Sequence, residues 1–269
     1  MRSRSAQILK TVYFCLLFGF LYVPIAVLIV FSFNESKSRT LFTGFTLNWY
    51  RNLFQDDMIL SALGVSLLIA VVSSILVTIL GTLAAVGINS MKKTPRGIVT
   101  SISHIPNVNP EIITGISLML LFVGFKNLTG VRLFGIPTLL IAHITFNLPI
   151  VIFSVLPKLR QMDIRLYEAA LDLGCNPRQA FFKAVLPEIM PGVISGLLMS
   201  FTYSMDDFVI SYFSSGTIQT LPIAIYSMTR KKVSPEINAL STILFLVILT
   251  VVLISNVVGE RRDRRNHAQ

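Results

Sequence analysis

Charge is what this sequence has least of. Only 13% of its 269 residues are Asp, Glu, Lys or Arg, while 53% are hydrophobic; a soluble domain carries roughly 25% charged residues. With a mean hydropathy of +0.72, an ordinary soluble globular fold is excluded. Cysteine is scarce too. Cys15 lies in an apolar run and Cys175 in a polar one, so they read as separate thiols, not a disulfide framework. The three histidines, His104, His143 and His267, are dispersed and offer no metal-ligand cluster. No GxxxxGK[ST] occurs, so the chain supplies no P-loop for ATP. No nucleophile and base stand in an enzyme-like pattern. The net charge of +10 is carried in short loops beside apolar runs, which argues against nucleic-acid binding.

What is abundant is long apolar sequence. Several runs approach or exceed the ~20 residues of a membrane-spanning helix. The expectation is an all-α membrane protein, one domain over 1–269, with six transmembrane helices at about 11–33, 60–88, 98–124, 136–156, 189–213 and 239–258. The first run is longer than a signal-peptide core of about 7–15 residues and lacks a cleavage site, so it reads as an uncleaved span. Pro24 within it is tolerable in a membrane helix. In the connection that follows, Trp49 and Tyr50 suit a membrane interface or simply pad a loop.

The third run is interrupted at 104–110, where Pro106 and Pro110 flank two asparagines. Helix should break there and resume at Pro110 or Glu111, with Asn109 as N-cap. Irregular backbone at membrane depth implies a protein or water-filled surface facing it. In the fourth run, His143, Asn147 and Pro149 could line a path, but the favoured reading is hydrogen bonds between helices and a kink. The fifth has Pro191 near its start and Asp206-Asp207 inside or at its far end. A short amphipathic piece, 221–228, places Leu221, Ile225 and Met228 on one face, before Arg230, Lys231 and Lys232. With six spans, 15 of the 23 Lys and Arg residues fall on the side of both termini and eight on the other. The positive-inside rule then puts both termini in the cytoplasm.

The same side holds a polar segment, 163–187, too elaborate for a simple loop. Asp163 can cap a helix starting at Ile164. Leu166, Ala169, Ala170 and Leu173 then form one apolar stripe, thin because two members are alanine, and flanked by Glu168 and Asp172. Gly174 can end that helix in the left-handed conformation. Asn176-Pro177 can start another, as N-cap and first helical residue. The pattern is helix, glycine turn, helix, ready for a partner the chain itself lacks.

Glu168-Ala169-Ala170, three residues, Gly174, and later Leu186-Pro187 resemble the signature loop of binding-protein-dependent ABC importer permeases. One departure is Ala184, where the family favours isoleucine; Val185 beside it supplies similar bulk. FTLNWY, PEIITGISL, LPIVIFSV, FTYSMDDFVISYF, LPIAIYSM and VSPEINALSTIL are similar to segments of the spermidine and putrescine permeases, so the likeness covers almost the whole chain. The resemblance implies a type I ABC importer permease architecture in the bacterial plasma membrane, with a cytoplasmic coupling helix. It gives Glu168, Ala169, Ala170, Gly174, Leu186 and Pro187 to ATPase coupling. It also implies partners: a second homologous permease, two copies of an ABC ATPase, and an extracytoplasmic polyamine-binding protein. No cofactor is expected on this chain, ATP and Mg²⁺ belonging to the ATPase.

A polyammonium substrate needs carboxylates and aromatic faces along its path, and acids within spans usually face a cavity or a partner. Glu111, Tyr203, Asp206 and Asp207 are the candidates, with Tyr226 and Arg230 as an outer gate. Each has a plainer reading: Glu111 as a capping carboxylate, Asp206 or Asp207 paired with a basic residue of the sister permease, Tyr226 as packing. A permease of the same fold for another cationic or metal-complexed solute, and a stand-alone secondary transporter, are the alternatives.

Overall fold

The computed structural model describes residues 4–36, 41–131, 133–231 and 235–266; Arg2, Lys232 and His267 lie outside them. In chain order the helices are α1 (Arg4–Phe31), α2 (Asn48–Leu53), α3 (Asp57–Ser90), α4 (Lys93–Val108), α5 (Glu111–Thr129) and α6 (Ile136–Gln161). There follow α7 (Ile164–Asp172), α8 (Pro177–Ala180), a π-turn (Phe181–Val185), α9 (Leu186–Asp206), α10 (Val209–Ser214), α11 (Leu221–Lys231) and α12 (Pro235–Asn266). The described residues include no strand longer than an isolated bridge between Asn34 and Phe45.

Among the described residues, five helical stretches are long and apolar enough to cross a bilayer: Lys10–Phe31, Asp57–Ser90, Glu111–Thr129, Ile136–Gln161 and Pro177–Asp206. The expected sixth span falls on α12 (Pro235–Asn266), which opens with the apolar stretch Pro235–Val247.

Two compact units make up the chain. The first comprises residues 1–60 and 225–269, in which α12 packs on α1 and α2. α1 runs through Pro24 unbroken. Beyond it the chain folds back around Asn34, whose amide donates to the Leu41 carbonyl (2.8 Å) and accepts from the Thr43 amide (2.9 Å). Trp49 Nε1 donates to the Asn34 carbonyl (2.7 Å), and the Tyr50 hydroxyl lies 2.7 Å from Ser32 Oγ. The aromatic pair therefore ties the loop to the end of α1.

The second unit, 61–224, has its core where α3, α6 and α9 meet, around Val77, Ile88, Val151, Val155, Leu159 and Ile189. In lipid, helices gain little from hydrophobicity alone and associate through close packing, which small residues permit. Gly192 and Gly196 of α9 do this. A Cβ at Gly192 would stand 2.7 Å from the Ser154 carbonyl of α6, and one at Gly196 3.2 Å from Val151. A smaller cluster joins α5, α6 and α10 through Leu118, Phe122, Ala142 and Ile210.

Local detail differs from expectation in three places. α4 runs through Pro106 to Val108, so the interruption narrows to Asn109-Pro110. Asn109 closes α4, its N–H donating to Ile105, and Pro110 holds the N-cap position of α5. One proline a turn inside a helix costs a hydrogen bond, whereas the residue before Pro110 is pushed to extended backbone, and that is where the chain breaks. The fifth span is not continuous over 189–213: α9 ends at Asp206 and α10 starts at Val209. At its other end it does not begin after Leu186-Pro187 but grows straight out of α8 through the π-turn. The Leu186 N–H bonds to the Phe181 carbonyl five residues back, a widening that accommodates Pro187, which has no N–H to give.

Candidate functional site

The segment 163–187 is built from local caps. Asp163 Oδ1 accepts from the Arg165 amide (3.0 Å), starting α7. At its end Gly174 takes φ = 84°. The Gly174 amide donates to the Leu171 carbonyl (2.9 Å) and the Cys175 amide to that of Ala170 (3.1 Å), the paired bonds of a Schellman stop. Asn176 and Gln179 exchange side chain to backbone bonds (2.9 and 3.0 Å), a capping box for α8. Tyr167 packs against the core of the second unit, yet no residue of α7 is fully buried. Ile164, Leu166 and Leu173, the last 86% exposed, stay uncovered. Glu168 and Ala169 are exposed beside them and Ala170 is half-buried. Leu186 joins the core while Pro187 is exposed. Short rigid helices thus hold an apolar stripe and a carboxylate outward from the chain.

Glu111 is exposed in the first turn of α5, where the helix dipole favours an anion. Beside the Asn109-Pro110 break a cleft of about 360 Å³ opens, with Pro106, Asn109, Thr114, Ser117 and Thr145 in its wall. Pro106 and Pro110 have no N–H, so the carbonyls four residues before them lose their helical donors.

The break after α9 separates two adjacent acids. Asp206 is exposed, with Tyr203 (47% exposed) one turn before it. The Asp207 side chain is only 5% exposed. Its Oδ1 accepts from the Ile210 amide (3.1 Å) and its Oδ2 from the Ser211 amide (2.7 Å), capping α10. The Thr138 hydroxyl donates to the Ser214 carbonyl at the far end of the same helix (2.7 Å). His143 is buried at this junction, Nδ1 2.6 Å from Ser204 Oγ, Nε2 3.0 Å from Ser211 Oγ and 3.6 Å from Asp207 Oδ2. Ser204 Oγ lies in turn 3.1 Å from Ser73 Oγ of α3. His143 thus makes the interhelical bonds expected of it, whereas neither polar atom of the Asn147 side chain has a partner among the described residues. In the first unit, the Arg230 guanidinium lies 5.7 Å from the centroid of the Tyr226 ring, so the aromatic face of the candidate gate carries a cation.

Sequence reasoning passed over two features. Gly192 and Gly196 were signalled by their four-residue spacing, the small-xxx-small pattern of membrane helix contacts. Ser73, Ser204 and Ser211 carried no signal, since lone serines in apolar helices have no periodicity to mark them.

The chain is thus a broken-helix membrane protein with an outward-facing, doubly capped helical segment. The chain belongs to the family described as "Binding-protein-dependent transport system inner membrane component", whose family model matches residues 77–267. It is a transport component rather than an enzyme. Among its relatives is the spermidine/putrescine transport system permease protein PotC of Escherichia coli (strain K12), 38% identical over 261 residues and 97% of each chain. The putrescine transport system permease protein PotI of the same organism is 42% identical over 231 residues, covering 84% of this chain and 82% of PotI. The fold is shared with a bacterial ABC transporter involved in the import of the acidic polysaccharide alginate, at a TM-score of 0.72 and 17% identity over 96% of this chain and 94% of that one.

Proposed function

We propose that this chain is one of two permease subunits of an ATP-driven importer of the polyamines spermidine and putrescine. The observation that carries the reading is its relationship, along nearly its whole length, to a permease named for those two substrates. The similarity to PotI is higher in identity but shorter, so identity does not separate one polyamine from the other; a binding protein sets most of that choice.

The exposed groups suit the substrate. Polyamines are flexible chains of ammonium groups, which need carboxylates and aromatic faces in place of water. Glu111, Asp206 and Tyr203 offer these, while Asp207 acts from behind as the cap that forms the break. At the outer gate an arriving ammonium competes with Arg230 for the face of Tyr226. A PotD-like binding protein delivers the polyamine outside the cell, and a PotB-like permease completes the path. Two PotA-like ATPases, which hold the ATP and Mg²⁺, dock on the α7 stripe around Glu168, Ala169 and Ala170. Both termini and the 163–187 segment face the cytoplasm. ATP drives transport only as far as it favours one membrane conformation over the other, and Gly174, Leu186 and Pro187 join the docked helix to α9.

The test is reconstitution in liposomes. Labelled spermidine should enter only when both permeases, the ATPase, the binding protein and ATP are present. Double replacement of Asp206→Asn with Asp207→Asn should lower that uptake while the complex still assembles. Uptake by this chain alone under an ion gradient would overturn the assignment.

A further inference from the structure

We propose that His143 is a positioning residue of the path: its one imidazole staples the two halves of the broken fifth helix and so sets where Asp206 stands. The inference rests on the proposed function for its consequence in transport, but its geometry stands apart from it.

A helix interrupted at membrane depth must find internal partners for its freed backbone groups. After Asp206 the chain does so with side chains from three directions. Asp207 takes up the Ile210 and Ser211 amides at the start of α10. His143, arriving from α6, reaches Ser204 in the last turn of α9 through Nδ1 and Ser211 in the first turns of α10 through Nε2. Ser73 of α3 closes the far end of the chain on Ser204. One hydrogen placement serves His143, Ser73 and Ser204 together. Nε2–H points at Ser211 Oγ and the Asp207 carboxylate, Nδ1 accepts from the Ser204 hydroxyl, and Ser204 accepts from Ser73.

The burial pattern gives the network its meaning. Ser73, His143, Ser204 and Ser211 are all at most 4% exposed, so none of them meets a solute. The exposed residues are Tyr203 and Asp206, immediately beside Ser204 and Asp207 in sequence. His143 therefore acts through the backbone of 204–207. An apolar side chain at 143 would leave the Ser211 hydroxyl and one face of Asp207 without their imidazole partner, and Ser204 with Ser73 alone, in a buried site where a hydrogen bond counts for more than in water.

The experiment uses the assembled complex of this chain with its second permease and ATPase. Cys15→Ser and Cys175→Ser provide a thiol-free background, and Asp206→Cys a reporter labelled by methanethiosulfonate ethylammonium. His143→Ala should change the labelling rate at 206 severalfold, and His143→Gln, whose amide keeps a donor and an acceptor, should recover much of the parental rate. A control cysteine at exposed Asn127 should label at its parental rate throughout. With Asp206 intact, His143→Ala should lower polyamine uptake by about tenfold, the size of one buried hydrogen bond. If His143→Ala prevents assembly, Ser211→Ala, which removes a single contact, takes its place in the same measurements. An unchanged rate at 206 sinks the staple whatever happens to uptake. A changed rate with normal uptake in both His143→Ala and Asp206→Asn leaves the staple standing and removes Asp206 from the polyamine path.

Discussion

Asp206 and Asp207 are the same residue twice, and their effects on replacement should nonetheless separate. Asp207→Ala removes the acceptor for two α10 amides; losing a capping side chain costs about 0.5–2 kcal/mol, and here it also leaves His143 facing an empty position. A lower melting temperature of the purified complex is the expected result. Asp206→Asn touches no such network and should leave the melting temperature unchanged while spermidine uptake falls. Equal melting temperatures for the two variants would mean that Asp207 does not hold the break. Tyr203 belongs with Asp206 in this division, exposed on the same face of α9 one turn away. The local sequence announced two acids at this point. Which one would be exposed was decided by where the helix ends.

Among the elements, α7 and α9 are specified in opposite ways. α7 depends on caps within its own neighbourhood, and its outward stripe is unclaimed by the rest of the described chain. Glu168→Arg reverses an exposed charge there, so the protein should still insert and fold, while substrate-stimulated ATP hydrolysis by the assembled complex falls severalfold. Unchanged stimulation would remove α7 from the docking surface. α9 depends on its neighbour α6. Gly192→Val would drive side-chain atoms onto the Ser154 carbonyl, which stands only 2.7 Å from where the first of them, the Cβ, would lie. Overpacking of this kind costs typically about 1–3 kcal/mol, and the variant should melt earlier than Gly64→Val, a position with nothing within 4 Å. The π-turn joins these two elements. It lies between the segment proposed to dock the ATPase and the helix that ends at Asp206.

For the whole molecule, the fold leaves substrate open. The same arrangement serves a transporter of an acidic polysaccharide and, in closer relatives, permeases named for polyamines. Folds host sites, and the sites carry specificity. Sidedness is a property of the whole chain as well. Native Cys175, half-buried beside the α7 stop, should react with an impermeant maleimide in inside-out vesicles and not in intact cells, and added ATPase should slow that reaction. Labelling from outside intact cells would reverse the topology drawn from loop charge.

The sequence by itself determined the membrane class, the presence of the long apolar helices, and the capped segment 163–187. Those features rest on composition and on bonds within five residues of chain, such as Asp163 to Arg165 or Asn176 to Gln179, and local chemistry is written locally. Only the tertiary structure decided that Gly192 meets α6, that α9 stops at Asp206, and that His143 lies beside Ser204 and Ser211. Those partners are 61 and 68 residues away along the chain. Periodicity can say that a polar side chain needs a partner in lipid, but only the packing of α3, α6, α9 and α10 supplies one.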